Sequence, residues 1–325
     1  MSEDTSALPP ETGTNARPSS QSSSGAIDVP SAETARELIA DGERAERLGV
    51  LDRAIRSFTS AAQTKDEEIA AEALTRLGDV LRSCAEWEKA LDAARAAQRM
   101  ASAPGRELLL AHAVIAEGNV YMCRGDFHEA KARFERVSEI SADSRMRAHA
   151  LQNIGAILAQ QGQLGAAERA FLESYGHFHR AGYRRGEATA LNNYGRAALD
   201  RGDIALAESV LDQAIASARE AQHGELIALA TLNLAEAKCR KGELAPAHEL
   251  ASRSLGFFTS SGNRLRAVEC LRLIGVVDEQ SGDYDGAAAC FERALELAQA
   301  VGAALETRTL GDCVERLRRR RSAMT

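Results

Sequence analysis

Small and apolar residues recur at fixed offsets along most of the chain. Seven segments, 36 to 40 residues apart, align on one small residue each, the first-column residue: Gly42, Gly78, Gly118, Gly155, Gly195, Ala235 and Gly275. In every segment a second small residue follows seven positions later, an apolar residue nine positions later and an alanine twelve positions later. Agreement of four columns across seven segments predicts a structural repeat.

The offsets within a segment predict two helices, A and B, joined by a tight turn. Gly49 and its equivalents stand where helix A would end, and glycine there can adopt the left-handed conformation that stops a helix. The first-column residue and the alanine are expected where the two helices cross closely. Asp126, Asp203 and Asp283 follow the turn glycine and can cap helix B. Another set is expected to end helix B: Gly182, Gly224, Gly262 and Gly302.

Several segments resemble the tetratricopeptide repeat in detail. Its small-x-x-aromatic spacing stands as Gly118-Asn-Val-Tyr121, and its Gly-x-aromatic-x-x-Ala spacing as Gly125-Asp-Phe127-His-Glu-Ala130. A later aromatic or leucine column stands as Phe58, Phe134, Phe171, Leu211 and Phe291. The resemblance covers about residues 32–301, and steps longer than 34 residues are similar to the long-unit variant of kinesin light chains and bacterial regulators. It implies an all-α right-handed superhelix of about seven hairpins, with helix A lining a concave groove.

Composition divides the chain into three parts. Residues 1–30 are rich in Ser, Thr, Pro and Gly and lack a periodic apolar pattern, which predicts a disordered tail. Residues 31–302 hold the seven repeats, whose apolar faces must stack on one another. Residues 303–325 are expected to form a capping helix with a basic end: Arg316, Arg318, Arg319, Arg320 and Arg321.

Charge and motif content narrow the function. A net charge of −7 does not favour binding of nucleic acid. No apolar run could span a membrane and the N-terminus does not resemble a signal peptide, so a cytoplasmic protein is expected. The six cysteines lack metal-site spacing, and no nucleotide-binding, serine-hydrolase or zinc-protease motif occurs. We therefore expect no enzyme activity, no metal and no cofactor, and the oligomeric state stays open.

Polar residues of helix A are the candidates for binding. Three asparagines stand two residues before the first column in consecutive repeats: Asn153, Asn193 and Asn233. Beside them, or one residue after the first column, stand further polar side chains: Gln152, Asn192, Asn119, Arg196 and Glu236. A row of amides can bond with the N–H and C=O groups of an extended peptide. The row is similar to the asparagine ladder of kinesin-light-chain-like proteins, which holds a bound peptide. Alternatively, these asparagines only bond between helices.

Three arginines would make the C-terminal half of the groove basic and suited to an acidic peptide: Arg196, Arg240 and Arg272. Three nearby acids could neutralise them instead: Asp200, Glu236 and Glu279. His149 is a further groove candidate, although His149 and His112 together offer too few ligands for a metal site.

These features predict a non-enzymatic adaptor that holds a peptide or a partner helix in its concave groove. The alternative is a regulatory or sensory protein of a bacterial signalling system that binds a signalling peptide, a response regulator or a transcription factor. The excess of arginine over lysine favours a bacterial source. A third possibility is a scaffold that self-assembles through an open end of the solenoid.

Overall fold

The computed structural model describes residues 29–322, and the side chains through Arg319. This part of the chain contains fifteen α-helices and no strand. Helix A of the seven hairpins is α1 (Ala32–Arg47), α3 (Glu67–Ser83), α5 (Glu107–Arg124), α7 (Ser144–Gln160), α9 (Arg184–Arg201), α11 (Gly224–Lys241) and α13 (Arg264–Ser281). Helix B is α2 (Leu51–Ala61), α4 (Trp87–Met100), α6 (Phe127–Ile140), α8 (Leu164–Arg180), α10 (Ile204–Glu220), α12 (Leu244–Ser260) and α14 (Tyr284–Ala300), and α15 (Ala304–Ser322) follows.

The helices stack in chain order as an all-α solenoid, as predicted. Each helix packs on the next one along the chain, and successive A helices also contact one another directly. The A helices therefore form one continuous layer and the B helices the other. Helix α15 buries Leu310, Val314 and Leu317 against the last hairpin, which includes Phe291. It covers the apolar face that the last repeat would otherwise expose.

The first-column glycines make room for a large side chain of helix B. A Cβ atom on Gly42, Gly118 or Gly155 would lie within 2.7 Å of a phenylalanine ring sixteen residues later in the chain. In the second hairpin that partner is Ala94, and a Cβ atom on Gly78 would lie no closer than 3.4 Å to any neighbouring atom. The predicted close crossing is confirmed. The glycine meets a phenylalanine ring in the three hairpins named first, and the backbone of Ala90, in the alanine column, in the second hairpin.

Residues in the left-handed conformation end helix A at all seven turns, as predicted. Six are glycines, and the second turn uses Ala85 with φ of 58°. The prediction for Gly224 is wrong, because Gln222 is the left-handed residue there, with φ of 52°. Gly224 is instead the first residue of α11, and a Cβ atom on it would approach the ring of Phe257 to 2.8 Å.

The caps of helix B agree with the predictions in part. Asp203 and Asp283 accept hydrogen bonds from the backbone N–H groups of Leu206 and Gly286, at 3.2 and 2.8 Å. Asp126 makes no such bond, because its carboxylate pairs with Arg124 at the end of α5. None of the helices described is both long and apolar enough to cross a bilayer. The predicted tail lies almost wholly outside the described residues.

Candidate binding groove

Each A helix presents a row of side chains along the inner layer of the solenoid. We call the positions ten, six and three residues before the first column, and one residue after it, the inner stripe. Their spacing of four, three and four residues keeps them on one helix face. Contacts between neighbouring A helices show that the rows meet. Arg196 pairs with Glu236, both of them stripe residues, and Asn233, next to the stripe on α11, donates to the stripe residue Asn192. The stripe therefore lines the groove.

The asparagines bond from helix to helix. Asn153 Nδ2 donates to Asn119 Oδ1 at 3.1 Å, and Asn233 Nδ2 donates to Asn192 Oδ1 at 2.8 Å. Asn192 Nδ2 in turn donates to Asn193 Oδ1, at 3.4 Å. Some of their polar atoms are unbonded within the described part of the chain. Oδ1 of Asn153 and Oδ1 of Asn233 accept no hydrogen bond there, and Nδ2 of Asn193 donates none. The row thus joins repeats and still leaves polar atoms for a ligand, so its role in peptide binding stays a prediction.

Two of the three candidate arginines are held in an ion-pair network. Arg196 donates to Glu236 at 2.6 Å and to Asp200 at 2.8 Å. Arg240 donates to Glu236 and, at 2.6 Å, to the carbonyl oxygen of Leu199. Burial acts to raise the pKa of Glu236, but the two arginines outweigh it and hold that pKa below its ordinary value. The charges of Arg196 and Arg240 are therefore largely matched by acids.

Six of the predicted residues line one pocket of about 440 Å³ on the inner layer, between α9, α11 and α13. We call it the C-terminal pocket, and its predicted members are Asn192, Asn193, Arg196, Asn233, Glu236 and Arg272. Arg272 is exposed and forms no ion pair with any residue the structure describes. The sequence analysis missed the other lining residues: Leu229, Leu232, Arg266, Glu269, Leu273 and Glu306.

Helical spacing could have identified part of the missed set. Leu229 and Glu269 stand at the stripe position six residues before the first column. Extending the predicted set of polar helix A residues by one turn toward the N-terminus of each helix would have included both. Glu306 comes from α15, and no repeat pattern places that residue at the pocket. Arg266 is neutralised by Glu269, at 2.7 Å.

The remaining candidates lie nearer the middle of the groove. His149 is half-buried, with its ring edge-on to Phe178 at 5.0 Å between centroids. Gln152 follows on the same face of α7 and is also half-buried. Within the described chain no three metal-ligating side chains cluster, and all six cysteines are unpaired.

Similarity to solved structures supports the fold. Aspartyl phosphate phosphatase F from Bacillus subtilis is 15% identical, with 81% of this chain and 68% of that chain aligned at a TM-score of 0.63. A Rap protein complexed with Competence and Sporulation Factor is 13% identical, with 86% and 80% aligned at 0.62. PilF of Pseudomonas aeruginosa is 19% identical, with 76% and 99% aligned at 0.53. At these identities the likeness concerns the fold alone.

Sequence comparison identifies the repeat directly. No curated protein matches the chain significantly. The sequence profile of one family, described as Tetratricopeptide repeat, matches residues 108–180, 146–220 and 225–300. The matches cover more than half of the chain and coincide with hairpins α5 to α14. The chain therefore belongs to the tetratricopeptide repeat family.

Proposed function

We propose that this protein is a non-enzymatic interaction scaffold that holds a peptide or a partner helix along its A helices. The C-terminal pocket carries this proposal, because it combines apolar side chains with amides. Leu229, Leu232 and Leu273 offer apolar contact, and Asn193 and Asn233 offer hydrogen-bonding groups. A polypeptide segment presents both kinds of group, namely side chains to bury and a backbone to bond.

A second candidate function is regulation within a bacterial signalling system. One protein of similar fold is an aspartyl phosphate phosphatase and another is a Rap protein in complex with Competence and Sporulation Factor. Under this proposal the chain acts in the cytoplasm, and a bound signalling peptide changes the pitch of the solenoid. We expect small-angle scattering to report a change in radius of gyration on binding for such a regulator, and none for a rigid adaptor.

The groove can be tested by affinity capture from a lysate of the source organism, with mass spectrometry. The sharpest variant is Asn193→Ala/Arg272→Ala, because neither side chain bonds to a neighbouring A helix within the described structure. The matched control is Gln213→Ala/Arg253→Ala, which removes an amide and an arginine from exposed positions on helix B. Circular dichroism would first establish that both variants are folded.

A partner kept by the control and lost by the groove variant is the expected result. A partner held equally by both would place the binding site outside the C-terminal pocket. A partner lost by both would point to helix B, and the proposal would then fail.

A further inference from the structure

The inner stripe changes charge along the solenoid. At the positions ten and six residues before the first column, the flanking A helices carry acids: Glu68 and Glu72 on α3, Glu225 on α11 and Glu269 on α13. The same positions on α5, α7 and α9 carry no acid and hold four basic or titratable side chains: His112, Arg145, His149 and Arg185. We call these four residues the mid-groove patch. The helices α5, α7 and α9 contact one another in sequence, so the patch is continuous.

The two arginines of the patch have no charged partner within the described chain. Both are exposed, and within the described chain neither takes part in an ion pair or donates a side-chain hydrogen bond. In contrast, Arg196, on the same helix as Arg185, and Arg240, on the next A helix, share Glu236 and are neutralised by it. The mid-groove patch therefore places two unpaired stripe arginines on neighbouring A helices, whereas the other two unpaired stripe arginines of the described chain, Arg36 on α1 and Arg272 on α13, stand singly.

An aromatic residue packs against the two patch residues of α7. The guanidinium of Arg145 lies over the ring of Tyr183, 4.4 Å from its centroid, which is a cation–π contact. The imidazole of His149 lies 6.2 Å from the same ring. Tyr183 directly precedes α9, so it joins the α7 side chains to the helix that carries Arg185. This contact orients Arg145 without using its hydrogen-bond donors.

The imidazoles of the patch favour the neutral form. Loss of solvation lowers the pKa of His149, and Arg145, His112 and Arg185 lower it further. Loss of solvation likewise lowers the pKa of His112, with Arg76 and Arg145 adding to the effect. At neutral pH both rings can therefore gain a proton if a negative charge arrives.

Two carboxylates oppose this effect. Asp143 acts to raise the pKa of both imidazoles, and Asp79 acts to raise that of His112. Asp143 caps α7 by accepting from the backbone N–H of Met146, and Asp79 lies 3.6 Å from Arg82. Both acids already have partners, and loss of solvation, together with the arginines, outweighs them, so the pKa of each imidazole stays below its ordinary value.

We propose that the mid-groove patch binds an acidic segment of the partner polypeptide, and that His112 and His149 take up protons as it binds. This inference rests on the proposed function, since it assigns the chemistry of a ligand held along the A helices. Arg145 and Arg185 donate to carboxylates, and protonated imidazoles add donors beside them. Binding then tightens as the pH falls toward 6.

The acids that flank the patch favour a short acidic peptide over a long polyanion. Three neighbouring A helices span about 20 Å, which an extended chain of about six residues crosses. A nucleic acid that continued along the groove would meet Glu68 and Glu72 at one side and Glu225 and Glu269 at the other. A peptide with one acidic run avoids this repulsion.

The test is isothermal titration calorimetry of the full chain with hexaglutamate at low ionic strength. Hexaglutamine and hexathymidylate serve as comparison ligands. We expect hexaglutamate to bind and hexaglutamine not to. Titrations in two buffers of different ionisation enthalpy should show proton uptake, which His112→Gln/His149→Gln removes. Arg145→Gln/Arg185→Gln should weaken binding by about tenfold, whereas Arg169→Gln/Arg253→Gln, an equal loss of charge on helix B, should not. Arg185→Gln alone should weaken binding even if the double variant proves unstable.

Three outcomes would overturn the inference. The first is that hexaglutamate does not bind. The second is that the helix B control variant weakens hexaglutamate binding as much as Arg145→Gln/Arg185→Gln does. The third is that hexathymidylate binds more tightly than hexaglutamate. The proposed function is judged separately, because a captured partner that depends on Asn193 and Arg272 would remain even if hexaglutamate did not bind. Failure of that capture would not alter the calorimetric result.

Discussion

The mid-groove patch and the C-terminal pocket contain similar residues but differ in available charge. Both present arginines on the inner stripe. In the pocket, Arg196 shares Glu236 with the neighbouring Arg240, Arg266 pairs with Glu269, and only Arg272 lacks an ion pair within the described chain. In the patch, Arg145 and Arg185 have no acid within reach along the described chain. The electrostatic potential that a ligand meets therefore depends on whether an acid stands one helical turn or one repeat away from each arginine. The number of arginines alone does not predict it.

The largest expected effect comes from breaking the ion-pair network of the pocket. Glu236→Gln leaves Arg196 and Arg240 without their shared carboxylate, and we expect a loss of about 2 kcal/mol in the free energy of unfolding. Urea denaturation measures it. Glu225→Gln, at an exposed position of the same helix, is the control and should change stability little. A change of equal size in both variants would mean that the network contributes nothing specific.

The next largest effect is on hexaglutamate affinity. It comes from placing a glutamate in the patch at the position six residues before the first column, where α3 and α13 carry one. His149→Glu would pair with Arg145 one turn earlier, and we expect about a tenfold loss of hexaglutamate affinity. Gln213→Glu adds the same charge on helix B and is the matched control. If both variants bind hexaglutamate equally, net charge and not the patch determines the affinity.

A smaller effect is expected from the reverse change in the pocket. Glu269→Gln removes the partner of Arg266 and leaves two uncompensated arginines there, with Arg272. Hexaglutamate affinity should rise by about threefold, because exposed charges are screened by solvent. Calorimetry with this variant and with Glu249→Gln, an exposed acid on helix B, gives the comparison. An unchanged affinity would show that the pocket cannot act as a second anion site.

The smallest expected effect is on the pH dependence of the free energy of unfolding, to which the two regions contribute in different pH ranges. The pKa of His149 lies below its ordinary value of 6.5, so the unfolded chain binds more protons and stability falls as the pH drops through about 6.5. The pKa of Glu236 lies below its ordinary 4.5, so its contribution is present above about pH 4.5 and is lost below that value. Urea denaturation across this range should show that His149→Gln flattens only the upper part and Glu236→Gln only the lower part. A single shared transition would contradict this division.

The fold was predictable because steric columns repeat. Gly42 and Phe58 stand sixteen residues apart, and the same spacing returns as Gly155 and Phe171, so one physical pairing appears several times in the sequence. Loop details were less predictable. Gln222 and Gly224 lie two residues apart, and only the stacked backbone decides which of them adopts positive φ.

The sequence predicted which polar and charged residues lie at the candidate site. It did not predict which of them bond to one another across neighbouring helices. Arg196 and Asp200 are four residues apart on one helix, which the sequence reveals. The bond from Arg196 to Glu236 joins residues 40 positions apart and depends on how the repeats stack. Arg145 was missed although it stands one turn before His149, because the contact that orients it comes from Tyr183 on the following segment.

A small first-column residue and a large helix B residue sixteen positions later fit each other within one hairpin. This matched pair limits where two repeats could be recombined. In the sixth hairpin both positions are alanine, Ala235 and Ala251, whereas the third joins Gly118 to Phe134. A crossover between helix A and helix B would place Ala235 opposite a phenylalanine, where their side chains would overlap, whereas glycine opposite alanine already occurs as Gly78 and Ala94. Whole hairpins can be duplicated or exchanged without this conflict. The hairpin is thus the unit of this chain that can be exchanged with its side-chain fit intact, and the turns that follow helix B are its boundaries.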